Sequence, residues 1–302
     1  MYSATPSEPS RRSRTHTAIA VYMVLVHGLA ASSLWLPWPP FALPVIIGLH
    51  VSIMLGTTVG LHRLLSHRAF RCPRWVEYGL VTLAMISGQG SPLLWAAIHR
   101  THHVHTDLPE DIHSPLRGVW YSHLGWILDE DSTDSEAWRK YCRDLAEDPY
   151  YLWLLRYRMV PQAVTVVLLG LTLGWSALPA CFFLPLVLWM HSTYCVNSVC
   201  HVRFLGFRTH DTRDFSRNVW WVSVFALGEG WHNNHHAFPG SARHGQAWWQ
   251  FDPGWAFIRL LQGLGLAWDV RLPGQRLPAR ADFAVERERA VVAFSGVEGS
   301  GP

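Results

Sequence analysis

The stretch THTAIAVYMVLVHGLAASSLWLPWPPFALPVIIGLHVSIMLGTTVGLH, residues 15–62, contains no Asp, Glu, Lys or Arg, and Arg14 and Arg63 bracket it. A membrane-crossing helix needs about 20 mainly apolar residues. The run is therefore long enough for two, with Pro37, Pro39 and Pro40 marking a turn between them. Spans are expected near 17–36 and 41–61. A second charge-free run, bracketed by Arg158 and Arg203, repeats the pattern, and Gly174 to Pro179 marks its turn. It predicts spans near 159–175 and 180–201. A soluble core could bury one such run; two paired runs point to a membrane. Composition agrees: 49% of the 302 residues are hydrophobic and 16% charged, against roughly 25% charged in soluble domains.

The remaining charges are unevenly placed. The turns at 37–40 and 176–179 carry none, whereas Arg11, Arg12 and Arg14 precede the first span and Arg is frequent after spans two and four. The positive-inside rule places both termini, and everything between spans two and three, in the cytoplasm. Trp35, Trp38, Trp175, Trp220 and Trp221 fall near span ends or the surface, where indole rings favour the interface. The first apolar run is too long for a signal peptide and lacks a small-residue cleavage site. The net charge of +3, with no Arg/Lys block, argues against a nucleic-acid partner. Cys72, Cys142, Cys181, Cys195 and Cys200 form no C-x-x-C pair and read as reduced and structural. The expected organisation is an N-terminal tail (1–16), one membrane domain (17–282) and a C-terminal tail (283–302).

Histidines carry the chemistry. Nine of the 18 fall in three clusters: His62-Arg-Leu-Leu-Ser-His67, His99-Arg-Thr-His102-His103-Val-His105 and His232-Asn-Asn-His235-His236. Neutral imidazole is a common ligand for iron, copper and zinc. His62, His67, His99, His102, His103, His232, His235 and His236 are too many for one ion and suggest two. Spacings of three and four share a helical face, so each H-x-x-H-H is expected to point three rings one way, with Asn233 and Asn234 facing elsewhere. His105 and His113 fall off that face. His27, His50 and His191 lie within spans, where a lone histidine packs and bonds to a neighbouring helix. His16, His123, His210 and His244 are isolated and read as surface residues or outer supports.

Residues 76–98 are apolar enough to suggest a fifth span. A fifth span would put the first two clusters on opposite sides of the membrane, which a shared metal site forbids. Gly88-Gln-Gly-Ser-Pro92 also interrupts the helical pattern. A helix buried in, or lying on, the membrane face of a cytoplasmic cap is expected instead.

The boxes Gly60-Leu-His62-Arg-Leu-Leu-Ser-His67-Arg, His99-Arg-Thr-His102-His103 and Gly228-Glu-Gly-Trp-His232-Asn-Asn-His235-His236-Ala-Phe-Pro239 resemble the three histidine boxes of the membrane fatty acid desaturases of the acyl-CoA (stearoyl-CoA) type. Thr106-Asp107 through Asp111-Ile-His113-Ser-Pro115, Ser122-His-Leu-Gly-Trp126 and Thr212-Arg-Asp214 look similar too, and the likeness covers about 40–270. The resemblance implies an all-α integral membrane fold of four spans with a cytoplasmic helical cap. It also implies a di-iron centre and O2-dependent insertion of a cis double bond into a saturated acyl chain. It adds His201 as a ninth ligand, in Asn197-Ser-Val-Cys-His201, and Asn197 as a residue meeting one metal through water.

Carboxylates near the ligands can accept their free ring N–H groups; Asp107, Asp111, Asp214 and Glu229 are candidates. Trp120 and Trp126 are candidates for lining an acyl channel. Where some family members carry head-group contacts for CoA, this chain has Ala97 and Ile98, and later Asp129-Glu130-Asp131. CoA is the first expected carrier, with an acyl carrier protein or a phospholipid as alternatives. No haem-domain signature is present, so electrons are expected from a separate ferredoxin, or a small cytochrome with its reductase. The competing readings are a related di-iron lipid hydroxylase or acetylenase, a membrane haem protein using His27, His50 and His191 as axial ligands, and a zinc hydrolase, for which no H-E-x-x-H is present.

Overall fold

A computed structural model describes residues 11–129 and 140–275. The two tails beyond it and Glu130-Asp131 lie outside the described residues. The regular elements of the described residues are all helices, with isolated antiparallel bridges such as Arg71 to Trp268 and no strands. In order the main helices are α1 (Arg11–Ser32), α2 (Ala42–Ser66), α3 (Arg74–Met85), α4 (Pro92–His105), α5 (Pro149–Arg156), α6 (Val160–Leu173), α7 (Pro179–His201), α8 (Trp220–Phe225), α9 (His232–Ala237) and α10 (Pro253–Gly263).

Two of them, α2 and α7, are long and apolar enough to cross a membrane, at 25 and 23 residues. The pair α5 and α6 would make a third if taken as one span, but it bends by 70° between its halves. The apolar part of α1, His16–Ser32, is shorter than a full crossing. The first predicted span thus ends earlier than expected. Ser32 and Ser33 turn their hydroxyls back onto the carbonyls of Leu29 and Ala30, and the prolines that follow have no amide hydrogen to continue the helix. The third predicted span is trimmed to α6, which closes at Gly174 with a φ of 90°.

The apolar helices share a core of Met23 and Val26 from α1, Ile53 and Met54 from α2, and Phe182, Leu186 and Trp189 from α7. Facing outward are further apolar side chains, including Val24, Leu168 and Leu171, the pattern of a lipid-facing surface. Trp35, Trp38, Trp175 and Trp220 are exposed. The apolar segment 76–98 is two helices, not one. Gly88 and Gly90 take positive φ, and Ser91 then caps α4 by accepting from the Leu94 amide.

α2 and α3 lie in backbone contact. A Cβ at Gly56 would overlap the α3 backbone at Leu80–Ala84, and one at Gly60 would meet Leu80 at 3.0 Å. Two buried arginines then tie the elements together. Arg100 of α4 donates to the last carbonyls of α2, Leu65 (2.7 Å) and Ser66 (3.2 Å), and pairs with Asp144 at 2.6 Å. Arg63 of α2, fully buried, pairs with Asp252 at 2.9 Å. Asp252 in turn caps α10 through the Trp255 amide and accepts the amides of His244 and Gly245.

Gly254 leaves the space for the Arg63 guanidinium, since a Cβ there would fall on its Nη1. Gly254→Ala is expected to destabilise the protein by about 1–3 kcal/mol, the usual cost of overpacking, and to lower the melting temperature in detergent. Gly263→Ala, at the other end of α10 with no atom within 4 Å, should leave it unchanged or slightly raised.

Candidate metal centre

The clusters sit on three differently built helical segments. His62 and His67 are five residues apart, a spacing that in an α-helix would turn the rings well away from each other. Residues Gly56–Ser66 instead form a π-helix, and the His67 amide bonds to the His62 carbonyl at 3.1 Å. The wider i→i+5 turn brings both rings to one side, 4.9 Å apart. The sequence gives no warning of this. His99, His102 and His103 lie on α4; His232, His235 and His236 lie on the short α9. Asn233 and Asn234 face away from the rings, as expected. Asn233 accepts the amides of Thr209 and His210, and Asn234 donates to the His244 carbonyl.

All nine nominated histidines converge, but in two groups. His62, His67, His99, His103 and His235 form one; His102, His201, His232 and His236 form the other, and in each the ligating atoms lie within 4.8 Å of one another. The H-x-x-H-H motifs therefore do not point three rings the same way. In each, the i, i+4 pair stays together (His99 with His103, His232 with His236) and the i+3 ring goes to the opposite group. Adjacent residues on a helix are about 100° apart, so His102 and His103, or His235 and His236, cannot share one centre. The two motifs are interleaved, each lending one ring to the other's group.

The ring nitrogens facing inward are Nε2. His67 and His99 meet at 2.7 Å, His103 and His99 at 3.0 Å, His235 and His103 at 2.9 Å, and His62 and His235 at 3.1 Å. In the second group His232 lies 3.0 Å from both His201 and His236. The outward nitrogens explain why these contacts cannot all be hydrogen bonds. Nδ1 of His102 donates to Asp111 (2.9 Å), that of His201 to Asp107 (3.1 Å) and that of His236 to Asp214 (3.0 Å). A neutral imidazole has one N–H, so the Nε2 atoms of those rings carry lone pairs. Both His201 and His236 present theirs to His232, which has at most one hydrogen on that side. A cation between the rings resolves the conflict. Adjacent ligands of an octahedral ion with bonds of about 2.1 Å sit about 3.0 Å apart, which is the spacing found. The residues thus fit two metal sites.

The four candidate carboxylates each back one ring; the fourth, Glu229, has Oε2 2.6 Å from His62 Nδ1 and also accepts from Thr58. Burial alone would raise Asp107, Asp111, Asp214 and Glu229. The rings beside them (His201, His102, His236 and His62) outweigh it and hold all four below the usual carboxylate range. Burial, reinforced by neighbouring imidazoles, pushes His67, His99, His103, His232 and His235 well below the normal histidine value. These five rings are thereby held toward the neutral form that ligation requires.

Asn197 lines a pocket that opens onto both groups, together with Met54, Thr57, Trp95 and Val196. Trp95 stacks on His99 with centroids 5.2 Å apart. Trp126 packs edge-on against His113 and Trp120 is exposed; neither is among the residues lining this pocket. His113 lies beside Asp111 and His102, and burial pushes it down to about 3. Of the two sequence readings of His244, surface residue or outer support, the structure favours the second. His244 is fully buried, 4.7 Å from His235 by ring centroids, with Arg63 Nη2 3.0 Å from its Nδ1. Sequence reasoning missed Arg63 and Asp252; the one available signal was a charged residue, Arg63, inside a histidine box at the end of an apolar run. His50 bonds to the Phe225 carbonyl, and His27 and His191 bond to each other across α1 and α7, which is the packed role expected of histidines within spans.

Residues 35–271 match the fatty acid desaturase family. The chain is 44% identical over 222 residues to an sn-1 stearoyl-lipid 9-desaturase of Anabaena variabilis, covering 74% of this chain and 80% of that one. It is 42% identical over 252 residues to an sn-2 palmitoyl-lipid 9-desaturase of Nostoc sp., covering 82% and 87%. An icosanoyl-CoA 5-desaturase of Limnanthes douglasii is 39% identical over 257 residues, covering 84% and 72%. Buried histidine groups able to hold metal, backed by carboxylates and set against long apolar helices, are thus accompanied by sequence likeness along most of the chain: the protein belongs to the fatty acid desaturase family and is an oxidoreductase acting on acyl chains.

Proposed function

We infer that the two histidine groups hold two iron ions, and that the acyl chain desaturated is esterified to a membrane glycerolipid. The convergence of nine imidazoles, one ring nitrogen each, in two groups is the observation that carries the metal reading. The four carboxylates behind them carry as much negative charge as two divalent ions carry positive, so the loaded centre is close to neutral in its buried setting. When bound, the irons supply O2 activation and removal of hydrogen from two adjacent methylenes. The chain's own residues do the remaining work. Asp107, Asp111, Asp214 and Glu229 fix the ring orientations from behind. Met54, Val196 and Trp95 present apolar surface to the substrate and keep water from the pocket, and Asn197 positions a water against one metal.

The membrane frame of this reading has four spans, α1 and α2 as one hairpin, α6 and α7 as the other, with both termini and the histidine boxes on the cytoplasmic side. The arginines after α2 and α7 support that orientation. A lipid-linked substrate is favoured over acyl-CoA by the two relatives named as stearoyl-lipid and palmitoyl-lipid desaturases and by Ala97 and Ile98 before the second box. A separate one-electron donor, a ferredoxin or a small cytochrome, supplies the electrons.

Expression in a host lacking desaturases, with double bonds mapped by mass spectrometry in each lipid class, is expected to yield new monounsaturated chains in glycerolipids first. Unsaturation confined to the acyl-CoA pool would refute the carrier; alcohols in place of alkenes would favour the hydroxylase. Purified protein is expected to carry two irons per chain and no Soret band. His102→Ala and His235→Ala, one from each group, should abolish product while the protein still inserts. Asp214→Asn should weaken iron retention against a chelator by about 10–100-fold, the usual cost of losing a ligand's outer partner.

A further inference from the structure

The two histidine groups differ in what stands behind them. Three of the four carboxylates serve the smaller group. Asp111 accepts from His102 at 2.9 Å, Asp107 from His201 at 3.1 Å and Asp214 from His236 at 3.0 Å. The larger group, His62, His67, His99, His103 and His235, has Glu229, 2.6 Å from His62 Nδ1. Among the described residues no other carboxylate pairs with a ring of that group. Arg63 does not change the count. Its Nη2 stands 3.7 Å from Glu229 and 2.9 Å from Asp252, so the guanidinium and Asp252 cancel and Glu229 is left. Behind the smaller group Asp107, Asp111 and Asp214 take further hydrogen bonds from neutral donors: the Phe215 amide, the Asp107 and His113 amides, and the Thr212 and Ser216 hydroxyls. Among the described residues none of the three pairs with Arg or Lys.

Three negative charges thus back the four-ring group and one backs the five-ring group. A ferric ion carries one more positive charge than a ferrous ion, so nearby anions favour it and lower the potential of its site. An imidazole that gives its Nδ1 hydrogen to a carboxylate is also the more basic ligand. A carboxylate on the Nδ1 of a ring lies closer to an ion at that ring's Nε2 than to one in the other group, so both effects act on the same side. Exposure runs parallel to charge. His102, His201, His232 and His236 are all buried, whereas His67, His99 and His103 are half-buried. His67 and His103 are not among the residues lining the pocket, so their exposed edges lie outside it.

We propose that the two groups are unequal electron acceptors: an electron delivered to the oxidised centre rests at the five-ring group, and the three carboxylates keep the four-ring group ferric until a second electron arrives. In the first step a one-electron donor is oxidised and Fe(III) among His62, His67, His99, His103 and His235 becomes Fe(II). In the second step another donor molecule is oxidised and the Fe(III) among His102, His201, His232 and His236 is reduced. Neither step makes or breaks a covalent bond. The half-exposed edges of His67 and His103 also put the first acceptor nearer to an approaching protein donor than the buried four-ring group. The proposal rests on the di-iron reading above.

The test is the share of half-reduced centre at equilibrium, read without turnover. Full-length protein loaded with the Mössbauer isotope of iron is titrated anaerobically with dithionite and redox mediators, and Mössbauer and EPR spectra count the diferric, mixed-valent and diferrous forms. Wild type is expected to show separate Fe(II) and Fe(III) signals when half-reduced. Asp107→Asn removes a charge behind the four-ring group and should draw the two potentials together. The equilibrium constant for forming the mixed-valent state should fall by about tenfold, the low end for loss of a ligand's outer partner, or about 59 mV for a one-electron couple. Glu229→Gln removes a charge behind the five-ring group and should raise the same constant by about tenfold. Acids that merely hold rings in place give no reason for opposite signs. Changes of the same sign, no change, or a single averaged valence in wild type would overturn the proposal. If Asp107→Asn loses iron, Asp111→Asn makes the same measurement; loss of iron in both would mean that these acids act only by holding the rings, and would overturn it too. Wild-type protein that binds no iron would sink the di-iron reading itself, a result distinct from iron bound with the wrong signs.

Discussion

Nitrogen lone pairs pointed at one another repel, and the centre of this protein is built from them. Nine buried or half-buried imidazoles converge in two groups, eight of them with their Nε2 atoms at contact distances, an arrangement comfortable only around cations. Holding the rings there is the task of everything behind them. Asp107 and Asp111 come from one loop after α4 and Asp214 and Glu229 from two others, and each fixes one Nδ1. Two buried arginines fix the helices themselves: Arg63 ties α2 to the loop before α10, and Arg100 ties α4 to the end of α2. Buried charges of this kind are tolerated when paired and hydrogen-bonded. Here their role is placement, because a small shift of any ring would leave a lone pair aimed at nothing.

The way the rings divide follows from helix geometry. A single H-x-x-H-H can offer two rings to one ion and must send the third elsewhere. Two such motifs on facing helices solve the problem reciprocally, with His102 crossing to one side and His235 to the other. The H-x-x-x-x-H box completes one group only because α2 widens to a π-helix at its cluster end, and His201 completes the other from the last turn of α7. Both contributions come from the ends of the two longest apolar helices. The site is therefore a junction between membrane-type helices and polar loops, and the packing of the former sets the geometry of the latter.

How much of this the sequence disclosed depends on the range of the interaction. Apolar runs without charge announce helices, and the breaks at Pro37–Pro40, Gly88–Pro92 and Gly174 were legible because proline and glycine act locally. Clustered histidines announced a metal-type site for the same reason. The partition into two groups was not legible, since it depends on which ring of one helix faces which ring of another. The π-turn at Gly56–Ser66 was not legible, because its conformation depends on contact with α3, where Gly56 and Gly60 let the two backbones approach. His244 looked isolated in sequence and is buried, because Arg63 and Asp252, 181 and 8 residues away, close around it. His201 emerged through family resemblance alone, one histidine with no near neighbour in the chain.

Where polar groups lie in an apolar setting says something about how the reaction is managed. An acyl chain is apolar and must meet the centre in a dry setting, so compensating charge and hydrogen-bond partners have to be built into the protein. Four carboxylates supply the charge, standing behind the two histidine groups rather than in solvent. Along α7 the same rule governs the other polar groups: His191 and Ser198 lie on one face with Tyr194, His123 reaches down to bond to both, and the hydrogen bonds of the span are closed within the protein.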